Sequence, residues 1–186
     1  MKDVAVSDVR TFALLGHTAS GKTTLIDAML YKMGVNDRQG SVDTESSMAD
    51  YTDEEKGRKI TIHAKSFSGV HVVGGRKHGL VMCDTPGFMD FYGQVILATR
   101  AVESALILVD ANAGLQVGAS KAWKQAELMK MPRAVVITGL DRDIVKLSED
   151  VAGVESRLGA LQGVVREEMG YGREGDEEGT ALKMCD

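Results

Sequence analysis

Eight consecutive residues near the start of the chain have the types and spacing needed to bind phosphate. The pattern G-x-x-x-x-G-K-[ST] is met without a gap by Gly16, His17, Thr18, Ala19, Ser20, Gly21, Lys22 and Thr23, with Thr24 next. Such glycines let backbone N–H groups converge on phosphate oxygens, and a following helix adds its positive dipole end. Lys22 would supply a positive charge, and the Thr23 hydroxyl would be a Mg²⁺ ligand. An ordinary glycine turn before a helix is the alternative.

A second candidate element contains an acidic residue that follows a buried apolar run. It consists of Asp84, Thr85, Pro86 and Gly87, directly after the run 80–83. A carboxylate at that strand end would face the same crevice as the phosphate loop, where Asp84 can hold Mg²⁺. Gly87 can offer its N–H group to a terminal phosphate. The alternative is a plain strand-ending turn, since this composition is common in turns.

A third candidate element would read a nucleotide base. Thr138, Gly139, Leu140 and Asp141 follow the apolar run 134–137. A carboxylate at Asp141 could accept hydrogen bonds from the N1–H and the exocyclic amine of guanine, a donor pair that adenine lacks. A turn without any contact to a base is the alternative.

The elements that must position these residues alternate between apolar strands and amphipathic helices, which predicts a largely parallel sheet. Asn36 to Lys59 is a long polar stretch with no clear period, and such loops are usually functional or mobile. A hairpin is predicted where Gly74-Gly75 separates two apolar runs. The predicted strands are Thr11–Leu15, Ile60–Phe67, Val70–Val73, His78–Cys83, Ala105–Val109 and Ala134–Thr138, and the predicted helices are Thr23–Met33, Gly118–Met131 and Asp143–Leu158.

The bulk properties predict one domain in a reducing compartment. The chain has 186 residues, 44% of them hydrophobic, which suffices for one core. A net charge of −5 argues against strong nucleic-acid binding by the chain alone. There is no disulfide framework, signal peptide or membrane span, so a cytoplasmic location without membrane contact is expected. The nucleotide-binding domain is predicted over 1–165, followed by an acidic, glycine-rich tail over 166–186.

These motifs, in this order, resemble the GTP-binding domain of translational GTPases of the elongation factor G group. The resemblance runs from about residue 10 to 158, through the stretches 16–24, 48–62, 84–91, 109–116 and 123–126. It implies the α/β fold class of a three-layer P-loop NTPase (Ras-like G domain) with a mostly parallel sheet. It also implies GTP or GDP with Mg²⁺ as ligands, and the ribosome as a candidate partner. The first switch would be Asn36–Thr61, with Thr61 closing on Mg²⁺ and the γ-phosphate, and the second switch Asp84–Tyr92.

On this resemblance the catalytic residues are Lys22, Thr61 and Gly87, and the Mg²⁺ ligands are Thr23, Thr61 and Asp84. The nucleotide contacts are 16–24, 84–87 and 138–141. Domains that follow this one in the family are absent here, so translocation in the family's manner is not expected.

Departures from the family pattern favour a divergent, elongation factor G-like paralogue with slow hydrolysis. Phe88 stands where the family has the histidine that helps to position the attacking water, and phenylalanine has no polar atom for that task. Thr138 and Gly139 replace the Asn-Lys of the base motif, and Ala19 replaces a frequent aspartate. The stretch 180–183 resembles the fifth family motif by coincidence. Two other functions stay open: a guanine-nucleotide switch with negligible hydrolysis, and an ATP-using P-loop protein.

Overall fold

The structure, a computed structural model, describes residues 4–50 and 52–139. Within these ranges, five strands and four helices alternate in an order typical of α/β proteins. In chain order they are β1 (Val9–Gly16), α1 (Lys22–Lys32), α2 (Asp53–Arg58), β2 (Lys65–Val73), β3 (Arg76–Asp84), α3 (Tyr92–Ala101), β4 (Ser104–Asp110), α4 (Val117–Leu128) and β5 (Arg133–Thr138). Short 3-10 turns lie at Val6–Asp8 and Met89–Phe91.

The strands form one sheet in the order β2-β3-β1-β4-β5. β1 pairs in parallel with β3 and with β4, and β5 pairs in parallel with β4, whereas β2 and β3 are antiparallel. Gly74 and Gly75 have φ values of 57° and 80°, the left-handed backbone that a two-residue hairpin turn requires. Because β1, β3, β4 and β5 run in one direction, the loops that follow them lie at the same edge of the sheet.

The hydrophobic core lies on both faces of the sheet, as the alternation along β1 dictates. Phe12 and Leu14 pack in a cluster with the buried residues of α1, while Ala13 and Leu15 pack in a cluster with α3 and α4. The largest contribution from α4 is Trp123, which is 5% exposed. Helix, sheet and helix therefore form three layers, and the predicted α/β class with a mostly parallel sheet is confirmed.

The predicted strand Ile60–Phe67 is wrong over its first half, because β2 begins at Lys65. The three residues directly before it donate their backbone N–H groups to side chains and not to a neighbouring strand. Glu55 accepts from the N–H groups of Ile62 and His63, and Gln94 accepts from that of Ala64. The alternation of apolar and polar residues therefore extends beyond the strand, into a preceding segment whose backbone N–H groups are bound by side chains.

Two helices were not predicted. In α2 the Thr52 side chain accepts from the backbone N–H of Glu55, and its hydroxyl donates to the Glu55 carboxylate. This T-x-x-E pattern is a capping-box signature inside the stretch interpreted as a polar loop. In α3 the apolar residues 95–98 are consecutive, so their spacing does not indicate a helix.

The predicted strand Val70–Val73 is not a separate element, because β2 runs without a break from Lys65 to Val73. The other predicted elements among the described residues agree with the structure to within a few residues at each end. The predicted helix Asp143–Leu158, the boundary at 165 and the tail 166–186 lie outside the described residues. Among the described residues, no helix has both the length and the apolar character that a membrane crossing requires.

Candidate nucleotide-binding site

The loop between β1 and α1 is curled by backbone that few side chains tolerate. Gly16 has φ 143°, and a Cβ there would lie 2.6 Å from the carbonyl oxygen of Leu108. Ala19 and Gly21 follow with φ values of 59° and 84°, both left-handed. Such a sequence of conformations makes an anion-binding concavity from successive N–H groups. The loop thus has the geometry that its glycines predict.

Lys22, the first residue of α1, is 5% exposed. Its Nζ donates to the carbonyl oxygens of His17 at 2.6 Å and Gly16 at 3.2 Å. Burial lowers the pKa of Lys22 to about 8, although the negative charge of Asp84 acts to raise it. A buried ammonium group held by neutral carbonyls favours an anionic ligand, because an opposite charge offsets its desolvation.

Four oxygen-bearing side chains meet beside this lysine. Thr23 donates to Asp84 Oδ2 at 2.9 Å, and its Oγ1 lies 3.0 Å from Thr61 Oγ1. Thr61 in turn donates to Asp50 Oδ1 at 3.0 Å. All four side chains are at least nine-tenths buried. The fold therefore brings the predicted Mg²⁺ ligands Thr23, Thr61 and Asp84 together, and adds Asp50, which sequence reasoning did not select.

The number of protons available to these four side chains favours a bound cation. Each hydroxyl carries one proton, so when Thr23 and Thr61 donate to the two carboxylates their oxygens face each other with lone pairs. Asp84 Oδ1 is buried and has no hydrogen-bond partner among the described residues. Burial raises the pKa of Asp84 to about 6, against the lowering effects of Lys22 and the Thr23 hydrogen bond. Hard oxygen donors of this kind fit Mg²⁺.

Gly87 lies directly against the phosphate loop. A Cβ at Gly87 would lie 2.5 Å from the backbone nitrogen of Thr18 and 2.7 Å from Lys22 Nζ, so no side chain fits there. Phe88 follows and is 39% exposed, and both residues line the cavity described next. Thr85, by contrast, uses its hydroxyl inside the fold, since it is fully buried and donates to the Leu14 carbonyl at 2.6 Å.

A cavity of about 490 Å³ opens between the phosphate loop and the first-switch segment. Its lining joins Lys22 and Thr23 to Asp50, Lys59 and Thr61. A second cavity of about 260 Å³ lies on the other side of the loop, against the end of β5. Both are lined by Ala19, Gly21 and Thr24. The two spaces are arranged as an elongated ligand with a phosphate end and a base end would require.

The end of β5 is tied to the phosphate loop. The Thr138 hydroxyl donates to the Ser20 carbonyl at 2.9 Å. Gly139 has φ 71°, a left-handed backbone conformation that favours glycine, and a Cβ there would lie 2.7 Å from Asp110 Oδ2. Leu140 and Asp141, the predicted base-reading end, lie outside the described residues.

Comparison with known families decides the class of this site. The family model described as "Elongation factor Tu GTP binding domain" matches residues 7–182. The chain belongs to the elongation factor Tu GTP-binding domain family. The resemblance to translational GTPases and the expected P-loop fold are therefore confirmed.

Two curated proteins and one solved structure are similar to this GTP-binding domain. The chain is 32% identical over 158 residues to "Ribosome-releasing factor 2, mitochondrial" of Lodderomyces elongisporus, and 30% identical to the protein of that name from Candida albicans. Each match covers 85% of this chain and 19% of the relative. A crystal structure from Thermus thermophilus has 37% identity and a TM-score of 0.73, over 88% of this chain and 22% of that one. The chain thus spans about a fifth of the length of these relatives.

Within this GTP-binding domain, the structure gathers most of the predicted site residues around the two cavities. The His17 carbonyl accepts a hydrogen bond from Lys22, while the His17 side chain lies against Gly118 of α4. Sequence reasoning missed Asp50 and the buried pair of Glu55 and Lys65, which hold the first-switch segment. The T-x-x-E capping pattern was the signal for Glu55, whereas no local signal marks Lys65.

Proposed function

We propose that this domain binds GTP with Mg²⁺ and hydrolyses it slowly, as part of an elongation factor G-like translational GTPase. The observation that carries the proposal is the buried meeting of Lys22, Thr23, Thr61 and Asp84 beside Gly87. These residues come from the phosphate loop and both predicted switches, and they supply one cation, two hydroxyls and a carboxylate. The family match adds the guanine nucleotide as the ligand.

Mg²⁺ would be held by Thr23 and Thr61, with Asp84 directly or through water, and when bound it would neutralise charge that develops on the phosphates. Support for this assignment comes from Asp84 Oδ1, which has no hydrogen-bond partner in the described part of the chain, and from the facing hydroxyl oxygens. Removal of Mg²⁺ with a chelator is expected to weaken nucleotide binding and to stop hydrolysis. Hydrolysis that persists without divalent cations would contradict the assignment.

The chain's own part in catalysis is positioning and charge stabilisation. Lys22 would contact the β- and γ-phosphates from the centre of the loop. Gly87 would offer its backbone N–H to the γ-phosphate, since its contact with the loop leaves no room for a side chain. Thr61 would close over the metal and the γ-phosphate from the first switch.

Slow hydrolysis follows from Phe88. A residue at this position faces the cavity next to Gly87, where a polar side chain would orient the attacking water. Phenylalanine cannot donate or accept a hydrogen bond there, so the water would be placed less well while the phosphates are bound as usual. Phe88 also favours the second candidate function, a guanine-nucleotide switch with negligible hydrolysis. Single-turnover hydrolysis, with and without ribosomes, separates the two.

Guanine selection is assigned to Asp141. We expect GDP to bind at least about tenfold more tightly than ADP, which corresponds to about 1.4 kcal/mol. Calorimetry with both nucleotides measures the preference. It should shrink in Asp141→Ala, and Asp141→Asn should favour xanthine nucleotides, because an amide can donate to the O2 of xanthine. Equal affinities for GDP and ADP in the unaltered chain would instead support an ATP-using protein.

The ribosome is the proposed partner, supported by the relatives whose name is ribosome-releasing factor 2. Those relatives are named as mitochondrial proteins, whereas the sequence of this chain predicts a cytoplasmic location. Stimulation of single-turnover hydrolysis by purified ribosomes tests the partner, and the rate should be unchanged by an equal mass of a non-ribosomal RNA–protein particle.

A further inference from the structure

A buried ionic cluster joins the first switch to the start of β2, outside the phosphate loop. Lys65, the first residue of β2, is 7% exposed, and Glu55 of α2 is fully buried. Lys65 Nζ forms an ion pair with the Glu55 carboxylate and donates to the Ala49 carbonyl, and it lies 3.6 Å from Asp50 Oδ1. Buried charges persist where they are paired and hydrogen-bonded, so this cluster fixes the segments that carry it.

The cluster holds Thr61 from two sides. Asp50 accepts the Thr61 hydroxyl at 3.0 Å, and Glu55 Oε1 accepts the N–H groups of the next two residues, Ile62 at 3.0 Å and His63 at 3.2 Å. Both carboxylates approach Lys65. The lysine is therefore the charge that keeps two buried anions close to each other on either side of Thr61.

The far side of Thr61 leads directly to the nucleotide site. Its Oγ1 lies 3.0 Å from Thr23 Oγ1, and Thr23 donates to Asp84. A continuous chain of polar contacts thus runs from Lys65 to the residues proposed to hold the metal. Neither Lys65 nor Glu55 lines the phosphate cavity, so the cluster reaches the ligand through Thr61 and Asp50, which both line it.

We propose that Lys65, together with Glu55, is a positioning residue that holds Thr61 against Thr23 and so sets how strongly the site prefers GTP to GDP. This inference rests on the proposed function, in which Thr61 closes on the γ-phosphate. Without Lys65, Asp50 and Glu55 repel each other, the segment around Thr61 moves away from Thr23, and the contact specific to GTP is lost. GDP, which lacks the γ-phosphate, loses little.

The test compares a non-hydrolysable GTP analogue with GDP by calorimetry in Mg²⁺ buffer. Lys65→Met keeps most of the side-chain length and removes the charge. We expect its affinity for the analogue to fall by at least about tenfold while its GDP affinity changes less than about twofold. Lys77→Met, a loss of an exposed lysine on the same hairpin, is the matched control and should change neither affinity. The single-turnover GTP hydrolysis rate should fall in Lys65→Met alone.

A purely structural role is separated by a double-mutant cycle with Thr61→Ala. If Lys65 acts through Thr61, Lys65→Met will not change the GTP-to-GDP preference further in the Thr61→Ala background. An equal loss of both affinities, or a full additional loss in that background, would overturn the inference.

Glu55→Gln decides the question should Lys65→Met fail to fold, because it keeps the shape and removes one charge. We expect the same direction of change, and an unaltered preference would overturn the inference. If the unaltered protein binds neither GTP nor GDP, the proposed function is overturned as well. If Lys65→Met and Glu55→Gln both bind nucleotide normally and keep the same preference for GTP over GDP, this inference alone is overturned.

Discussion

Phe88 is the residue on which the proposed slow hydrolysis depends most directly. It lines the phosphate cavity beside Gly87 and is 39% exposed, so a substitution there meets few packing constraints. We expect Phe88→His to raise the single-turnover rate of GTP hydrolysis, because positioned polar groups contribute about 10²–10⁴-fold. GTP affinity should be nearly unchanged, since Lys22 and the loop are untouched. Phe88→Leu, which adds no polar atom, is the control and should give no gain.

A rate that is already high in the unaltered chain, with no gain in Phe88→His, would show that this interpretation of the position is wrong. The phenylalanine would then be a hydrophobic gate over the γ-phosphate, with another side chain placing the water.

Lys22 should carry phosphate affinity while contributing little to the stability of the free protein. The residue is 5% exposed, and the lowered pKa of about 8 means that burying its charge is unfavourable without a bound anion. Lys22→Ala should therefore lose about 3–5 kcal/mol of nucleotide binding, the effect of removing one partner of a buried charge pair. Its unfolding midpoint should not fall. Lys32→Ala, at the exposed end of the same helix, is the control, and unchanged GDP affinity in Lys22→Ala would refute the site.

Glu55 should make the protein sensitive to acid in a defined range. Burial alone would raise the pKa of Glu55, but hydrogen bonds from Lys65, Ile62, Thr52 and His63 lower that pKa to about 2. As the pH falls, Glu55 takes up a proton in the unfolded chain before it does so in the folded protein. Its contribution to the free energy of unfolding is therefore complete above about pH 4.5 and is lost as the pH falls through 2. The stability advantage over Glu55→Gln should shrink by about 3 kcal/mol across that range.

Chemical denaturation at a series of pH values measures this advantage. Glu54→Gln, which removes an exposed carboxylate from the same helix, should show almost no such trend. A constant difference between the unaltered chain and Glu55→Gln from pH 5 to 2.5 would contradict the assigned network.

At the scale of elements, α2 ends on an unfavourable conformation. Lys59 forms the left-handed cap at φ 53°, where glycine is the usual residue, and its Nζ makes an exposed hydrogen bond to the Asp43 carbonyl at 3.1 Å. We expect Lys59→Gly to stabilise the fold by about 0.5–1 kcal/mol, because the left-handed strain exceeds the loss of that bond and the entropy of glycine. Lys56→Gly, inside the helix, should destabilise it by a similar amount. Denaturant titration of both variants checks the signs, and destabilisation by Lys59→Gly would contradict the account.

The sequence predicted the elements whose signals are local. The loop between β1 and α1 and the hairpin at Gly74-Gly75 were predicted because their glycines require left-handed backbone or close contacts. The short helix α2 and the segment Ile60–Ala64 were not, because Glu55 contributes to both by accepting from a cap residue and from N–H groups several residues away. Long-range pairing of this kind, such as that of Lys65 with Glu55, leaves no periodic pattern in the sequence.

At the scale of the whole molecule, the candidate site is a consequence of parallel strands that end at one edge. Gly16 ends β1, Asp84 ends β3 and Thr138 ends β5, so residues more than a hundred positions apart line neighbouring cavities. This part of the site could be predicted, since it depends on the parallel direction of these strands. Thr61 was selected only through the family resemblance, since Asp50 and Glu55, whose contacts hold the segment around Thr61 next to Thr23, leave no local pattern that marks it.

Single-turnover hydrolysis tests the central claim most directly, with GTP and ATP compared in parallel at excess protein, in the presence and absence of Mg²⁺ and of ribosomes. The account predicts slow release of phosphate from GTP that requires Mg²⁺, rises with ribosomes and disappears in Lys22→Ala. ATP should give little or none. Release of phosphate from ATP at the same rate, or from GTP regardless of Mg²⁺ and Lys22, would contradict the account, as would the absence of GTP hydrolysis even with ribosomes.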